Sequence, residues 1–139
     1  HYKIYFSNRS KVLALNEKYS AVFEKIQNQA EAIAVELNEL SAKISSSSTS
    51  YNAEINLLNQ QIAAFNAKAN SGDFTSQAQF NSERSALTAR VNSLSAQRSA
   101  INETISLFNS KLEQYNALAT ESKELFKSID STLAPAPSL

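Results

Sequence analysis

Residues 80–126 read FNSERSALTARVNSLSAQRSAINETISLFNSKLEQYNALATESKELF. No glycine or proline interrupts them, and apolar side chains return at alternating steps of four and three. Carried on to the end of the pattern, the positions are Phe80, Arg84, Leu87, Val91, Leu94, Arg98, Ile101, Ile105, Phe108, Leu112, Tyr115, Ala119, Ser122, Phe126, Ile129 and Leu133. A 3.5-residue repeat gathers these side chains on one face of an α-helix, and that face demands a second helix. The stretch therefore predicts an all-α, coiled-coil architecture. Arg84 and Arg98 occupy seam positions. They read either as register-setting polar layers, stems buried and heads in water, or as residues merely tolerated there.

Upstream, a second stripe supplies the partner. Val12, Leu15, Tyr19, Val22, Ile26, Ala30, Ile33, Leu37, Leu40, Ile44, Ser48, Tyr51, Ile55, Leu58, Ile62, Phe65 and Ala69 follow one another at steps of three or four. Paired four-steps near Ile26–Ala30 and Ile44–Ser48 read as stutters, which unwind a supercoil locally without breaking the helix. The two stripes mirror each other about a point between Gly72 and Asp73, so that facing residues have numbers totalling about 145. Val12 then faces Leu133, Tyr19 faces Phe126, Leu40 faces Ile105 and Leu58 faces Leu87. This mirror predicts one long antiparallel two-helix coiled-coil hairpin with arms of about 87 Å each.

The turn has matching chemistry. Asn70-Ser71-Gly72-Asp73 offers a left-handed C-cap to the first arm, and Ser76 with Gln79 forms a capping box for the second. The expected division is a lead-in over 1–10, a first arm over 11–70, a turn over 71–75, a second arm over 76–133 and a proline-containing linker over 134–139. Pro135 and Pro137 end the helical pattern, because a residue before proline avoids the helical region. The weak point is Ser45-Ser46-Ser47-Ser48-Thr49-Ser50, where hydroxyls compete for the backbone. A break there would give a three-helix bundle instead. The apolar phase resumes at Tyr51 with little slip, which favours one continuous helix.

Composition sets further bounds. One glycine and two prolines among 139 residues leave little material for the many turns of a β or α/β fold. Thirteen basic and thirteen acidic residues, spread along the chain, make no electrostatic footprint for nucleic acid. Cysteine is absent and His1 is the sole histidine, so neither a disulfide nor a cysteine metal site is available. No Ser/His/Asp set, His-Glu-x-x-His or phosphate-binding glycine loop occurs. The expectation is a non-enzyme without cofactor, metal or small-molecule substrate. The chain opens on His, which reads as a segment of a longer protein, with any membrane anchor upstream of residue 1.

Three surface features are candidates for contacts. The tip, Asn70, Ser71, Gly72, Asp73 and Phe74, would be the partner-reading part of a docking hairpin. Leu13, Phe23, Leu118 and Leu125 lie off the main seam near the base and suggest an oligomer or docking face, since a bundle needs a wider apolar stripe than a two-helix coil. Tyr2, Ile4, Tyr5 and Phe6, interleaved with Lys3 and Arg9, read either as the edge of a membrane anchor or as aromatics that cap the open end of the hairpin. Asparagine recurs every seven residues at Asn52, Asn59 and Asn66, and again at Asn102, Asn109 and Asn116, each directly after a seam residue.

The stretches Phe65-Asn66-Ala67-Lys68-Ala69-Asn70-Ser71-Gly72-Asp73-Phe74, Gln77-Ala78-Gln79-Phe80-Asn81-Ser82-Glu83-Arg84, Tyr115-Asn116-Ala117-Leu118 and Ile129-Asp130-Ser131-Thr132-Leu133-Ala134-Pro135 resemble a coiled-coil region of certain bacterial cell-envelope proteins. Some of those proteins carry a matrixin-like zinc metalloprotease domain beside the coil. The similarity spans roughly 50–135. It implies an extracytoplasmic spacer or projecting arm that contacts a protein partner or a second copy of itself. Alternatives are an adaptor hairpin of a secretion or efflux assembly, docking through its tip, and an accessory segment of a metalloprotease-like enzyme. The protease motif itself is missing, so no catalytic residue carries over.

Overall fold

A computed structural model describes the backbone over residues 2–132 and the side chains over residues 17–128. Two helices account for the fold: α1 is Tyr2–Ser71 and α2 is Gln77–Thr132. They pack against each other as a two-helix hairpin, with no strand among the described residues. The expected side-chain pairing of Val12 with Leu133, the candidate contact Leu13, the Tyr2–Phe6 aromatics and the proline linker all lie outside the described side chains.

Two boundaries bear on the sequence reading. Residues 2–10, expected as a lead-in, belong to α1. No glycine or proline lies among them, and a nucleated helix propagates at little cost until something stops it. The serine run is also helical. Thr49 returns its hydroxyl to the Ser45 carbonyl at 2.9 Å, four residues back, which satisfies the competing group inside the helix. The three-helix alternative is therefore not adopted.

Between the helices the chain reverses within five residues. Gly72 takes φ 71°, the left-handed conformation that side chains disfavour. Its N–H donates to the Ala69 carbonyl at 3.3 Å, and the Asp73 N–H donates to the Lys68 carbonyl at 3.1 Å. These two bonds are the Schellman pattern, and they satisfy carbonyls that the helix end would leave open. Across the turn Ser76 caps α2. Its Oγ accepts the Gln79 N–H at 3.1 Å, while Gln79 Oε1 reaches back to accept the Thr75 N–H at 2.9 Å. The reciprocal bond of a capping box thus lands one residue earlier than usual.

The chain forms two compact units, one of Glu39–Phe108 and the other of the segments before and after it. In the first, the tip unit, Leu58 and Leu94 are 4% and 3% exposed and anchor the interior. Ile44, Tyr51, Phe65, Phe80, Leu87, Ile101 and Phe108 are half-buried beside them. In the second, the base unit, Ile26 is buried. Phe23, Ile26 and Ala30 of α1 share a groove with Tyr115, Leu118, Ala119 and Ser122 of α2.

On α1 the expected seam is the buried one from Tyr19 to Phe65, with Ala69 exposed and Lys68 inward in its place. On α2 only alternate seam positions are inward. Phe80, Leu87, Leu94, Ile101, Phe108 and Ser122 are buried or half-buried, as expected. Tyr115, which belongs to that alternate set, is exposed, and so are all the intervening positions, Arg84, Val91, Arg98, Ile105, Leu112, Ala119 and Phe126. Their preceding neighbours Glu83, Arg90, Gln97, Thr104, Lys111, Leu118 and Leu125 are half-buried instead. Arg84 and Arg98 are thus among the exposed seam positions. Leu118 and Leu125, expected on an outer docking face, are inward, whereas Phe126 is 66% exposed. The exchange is possible because both neighbours continue the same 3-4 spacing from the shared positions. Glu83, Gln97 and Lys111 are held inward by bonds to α1, whereas Thr104 donates to the Ala100 carbonyl of its own helix.

Candidate functional site

Two of the bonds to α1 lie on one flank of the tip unit. Lys68 Nζ meets Glu83 Oε1 at 2.9 Å, and Gln97 Nε2 donates to Glu54 Oε2 at 3.1 Å. Gln61 and Arg90 line the groove between these two levels, beside Lys68 and Glu83. Further from the tip, Ser47, Ser50 and Glu54 share a second groove with Gln97, Ala100 and Thr104, where small side chains on both helices leave open space. The base unit has a cross-helix pair of its own, Lys111 with Glu36 at 2.7 Å. Each pair is partly exposed, so it fixes register more than it adds stability.

The other flank of the tip unit has different chemistry. One residue further along a helix turns about 100° around its axis. Ile55 and Ile62 on α1, and Arg84, Val91, Arg98 and Ile105 on α2, are therefore carried to the far side of the seam from the charged pairs. Val91 is 43% and Ile105 38% exposed. Residues three or four apart share a helix face, which places Asn52, Asn59 and Asn66 alongside Ile55 and Ile62. The same rule places Thr88, Ser95 and Asn102 alongside Val91 and Ile105. All six of these neutral polar residues are exposed. Asn52, Asn59, Asn66 and Asn102 of the seven-residue asparagine spacing thus lie beside Ile55, Ile62 and Ile105, a placement that the spacing alone did not reveal.

At the tip most contacts of the candidate residues run to neighbouring residues of the two helices. Phe65, Phe74 and Phe80 form a closed trio with ring centroids 5.1–5.3 Å apart. Phe65 facing Phe80 satisfies the mirror, since their numbers total 145. Lys68 Nζ stands 4.6 Å over the Phe74 ring while holding Glu83. Ser71 Oγ donates to Asp73 Oδ2 at 2.7 Å. Phe74 is half-buried, and Asn70, Ser71, Gly72 and Asp73 are exposed.

In the base unit Phe23, Leu118 and Leu125 are half-buried, and Val35 is 56% exposed. Among the described residues no group of three or more His, Asp or Glu side chains is placed to hold a metal ion. No described helix is long and apolar enough to cross a membrane. Comparison with family models, curated proteins and solved structures finds no match.

Proposed function

We propose that this chain is a structural, non-catalytic coiled-coil arm of a bacterial envelope or secreted protein, and that it works by contacting protein surfaces. The observation that carries the reading is the division of the tip unit into two flanks. One carries charged cross-helix pairs with Leu57 and Leu107 exposed beside them, and the other leaves Val91 and Ile105 exposed among neutral polar residues and Arg84 and Arg98. Exposed apolar side chains gathered on one face mark an interaction site, whereas singly scattered ones do not.

The tip supports an adaptor role less well. Phe74 is engaged with Phe65, Phe80 and Lys68, and Ser71 with Asp73, so little at the turn is left to read a partner. The envelope location rests on the sequence resemblance.

The chain has no cysteine, so single labels are unambiguous. With Ser71→Cys in the producing cells, a membrane-impermeant maleimide should label intact cells; labelling only after lysis overturns the extracytoplasmic reading. A photo-cross-linking amino acid at position 91 should yield protein adducts in those cells. Absence of any protein adduct there and at position 71 overturns the contact reading.

A further inference from the structure

We propose that the tip unit is a two-position device, in which α2 turns about its own axis between the seam it occupies and a second seam carried by the same helix. The inward face of α2 in this unit consists of Phe80, Leu87, Leu94, Ile101 and Phe108, alternating with Glu83, Arg90, Gln97 and Thr104. All four alternating members are polar. The exposed positions beside them, Arg84, Val91, Arg98 and Ile105, join the same five residues into an equally regular 3-4 repeat, and two of these are apolar.

The exchange takes rotation without sliding. Neighbouring residues stand about 100° apart round a helix, with Glu83 and Arg84 on opposite sides of Phe80, so passing between the seams takes a turn of about 50°. The five shared residues, buried Leu94 among them, stay in the interior throughout. Gly72, in open space at the reversal, stands where the twist is absorbed.

α1 is furnished for both positions. Glu54 and Ile55 are neighbours, and both are half-buried. Glu54 holds Gln97 in the present seam. Ile55, at the same height in the mirror as Val91, lies on the flank from which Val91 would enter, and Leu40 is likewise half-buried at the height of Ile105. Arg98 would enter opposite Ser47 and Ser48, whose small side chains leave room for its stem while the guanidinium reaches water.

Little holds the present position. Among the described residues of the tip unit, two bonds tie the polar side of α2 to α1: Lys68 with Glu83 at 2.9 Å and Gln97 with Glu54 at 3.1 Å. Both are partly exposed, which keeps their contribution small. Arg90 forms no ion pair among the described residues, and Thr104 donates to the Ala100 carbonyl of its own helix at 3.0 Å. Against these bonds stands the burial of Val91 and Ile105, which favours the second seam. The two bonds are therefore the latch. In the second position Val91 and Ile105 leave the surface, so the device sets whether the tip unit shows that flank to a partner. The rotation does not rest on the contact reading above, and its test uses the chain alone.

Thiol joining across the hairpin tests this in the full chain. Ile44 and Thr104 line one groove, so Ile44→Cys with Thr104→Cys reports the present seam, and Ile44→Cys with Ile105→Cys reports the second. A short bifunctional thiol reagent should join 44 to 104 the faster in the otherwise unaltered chain. Glu54→Ala with Glu83→Ala, which removes both latch bonds, should raise the rate of joining 44 to 105 at least fivefold and lower that of 44 to 104. Arg90→Leu, which makes the present seam more apolar, should lower the rate of joining 44 to 105 at least threefold, with helical circular dichroism retained. A rate of joining 44 to 105 that is insensitive to either change overturns the proposal. So does a rise in both rates together, which marks loosening instead of rotation. Should the double alanine variant unfold, Arg90→Leu decides alone: the threefold fall supports the device, and an unchanged rate overturns it.

Discussion

Gly72 carries the reversal because its φ of 71° is left-handed, and the space around it is open, with nothing within 4 Å of an added Cβ. Gly72→Ala therefore meets strain without a clash. It should destabilise the hairpin by about 1–2 kcal/mol in urea unfolding, and Gly72→Asn by less. Leu94 and Val91 make a sharper contrast, three residues apart and both assigned to the seam by sequence. Leu94 is 3% exposed, so Leu94→Ala should cost about 2–5 kcal/mol. Val91→Ala, measured where the chain is monomeric, should cost no more than about 0.5 kcal/mol. Equal costs would mean that the sequence seam was the true one. Lys68→Gln removes a partly exposed ion pair and a ring contact together, and should cost only about 1 kcal/mol in the same assay.

The helices show what a pattern of residues can and cannot specify. On α1 the inward face from Tyr19 to Phe65 was legible because its apolar residues have one partner to satisfy. The caps were legible too, since Gly72 and the Ser76/Gln79 pair have few alternative uses. On α2 half the face was misread. The spacing permits either Val91 or Arg90, and apolarity selects Val91 only if every apolar residue faces α1. The cross-helix bonds of Glu83 and Gln97 run the other way, and nothing in a single sequence announces which Glu will meet which Lys. The serine run in α1 was correctly expected to stay helical. Ser45, Ser46 and Ser50 are exposed in that helix. Replacing each with Ala should raise stability by a few tenths of a kcal/mol in thermal unfolding, roughly additively. A neutral or destabilising series would indicate a break.

For the molecule as a whole, the hairpin topology came from the mirror between two stripes, and Phe65 meeting Phe80 agrees with it. The two-flanked character did not come from the sequence, because a flank is defined only once it is known which residues the partner helix has taken. That assignment underlies the contact reading, and engineered cysteines test it without interference in a chain that has none. A short bifunctional thiol reagent should join Glu54→Cys to Gln97→Cys rapidly within one chain, and join Glu54→Cys to Arg98→Cys poorly. Preferential joining of 54 to 98 would put the apolar flank inside the hairpin and contradict the account.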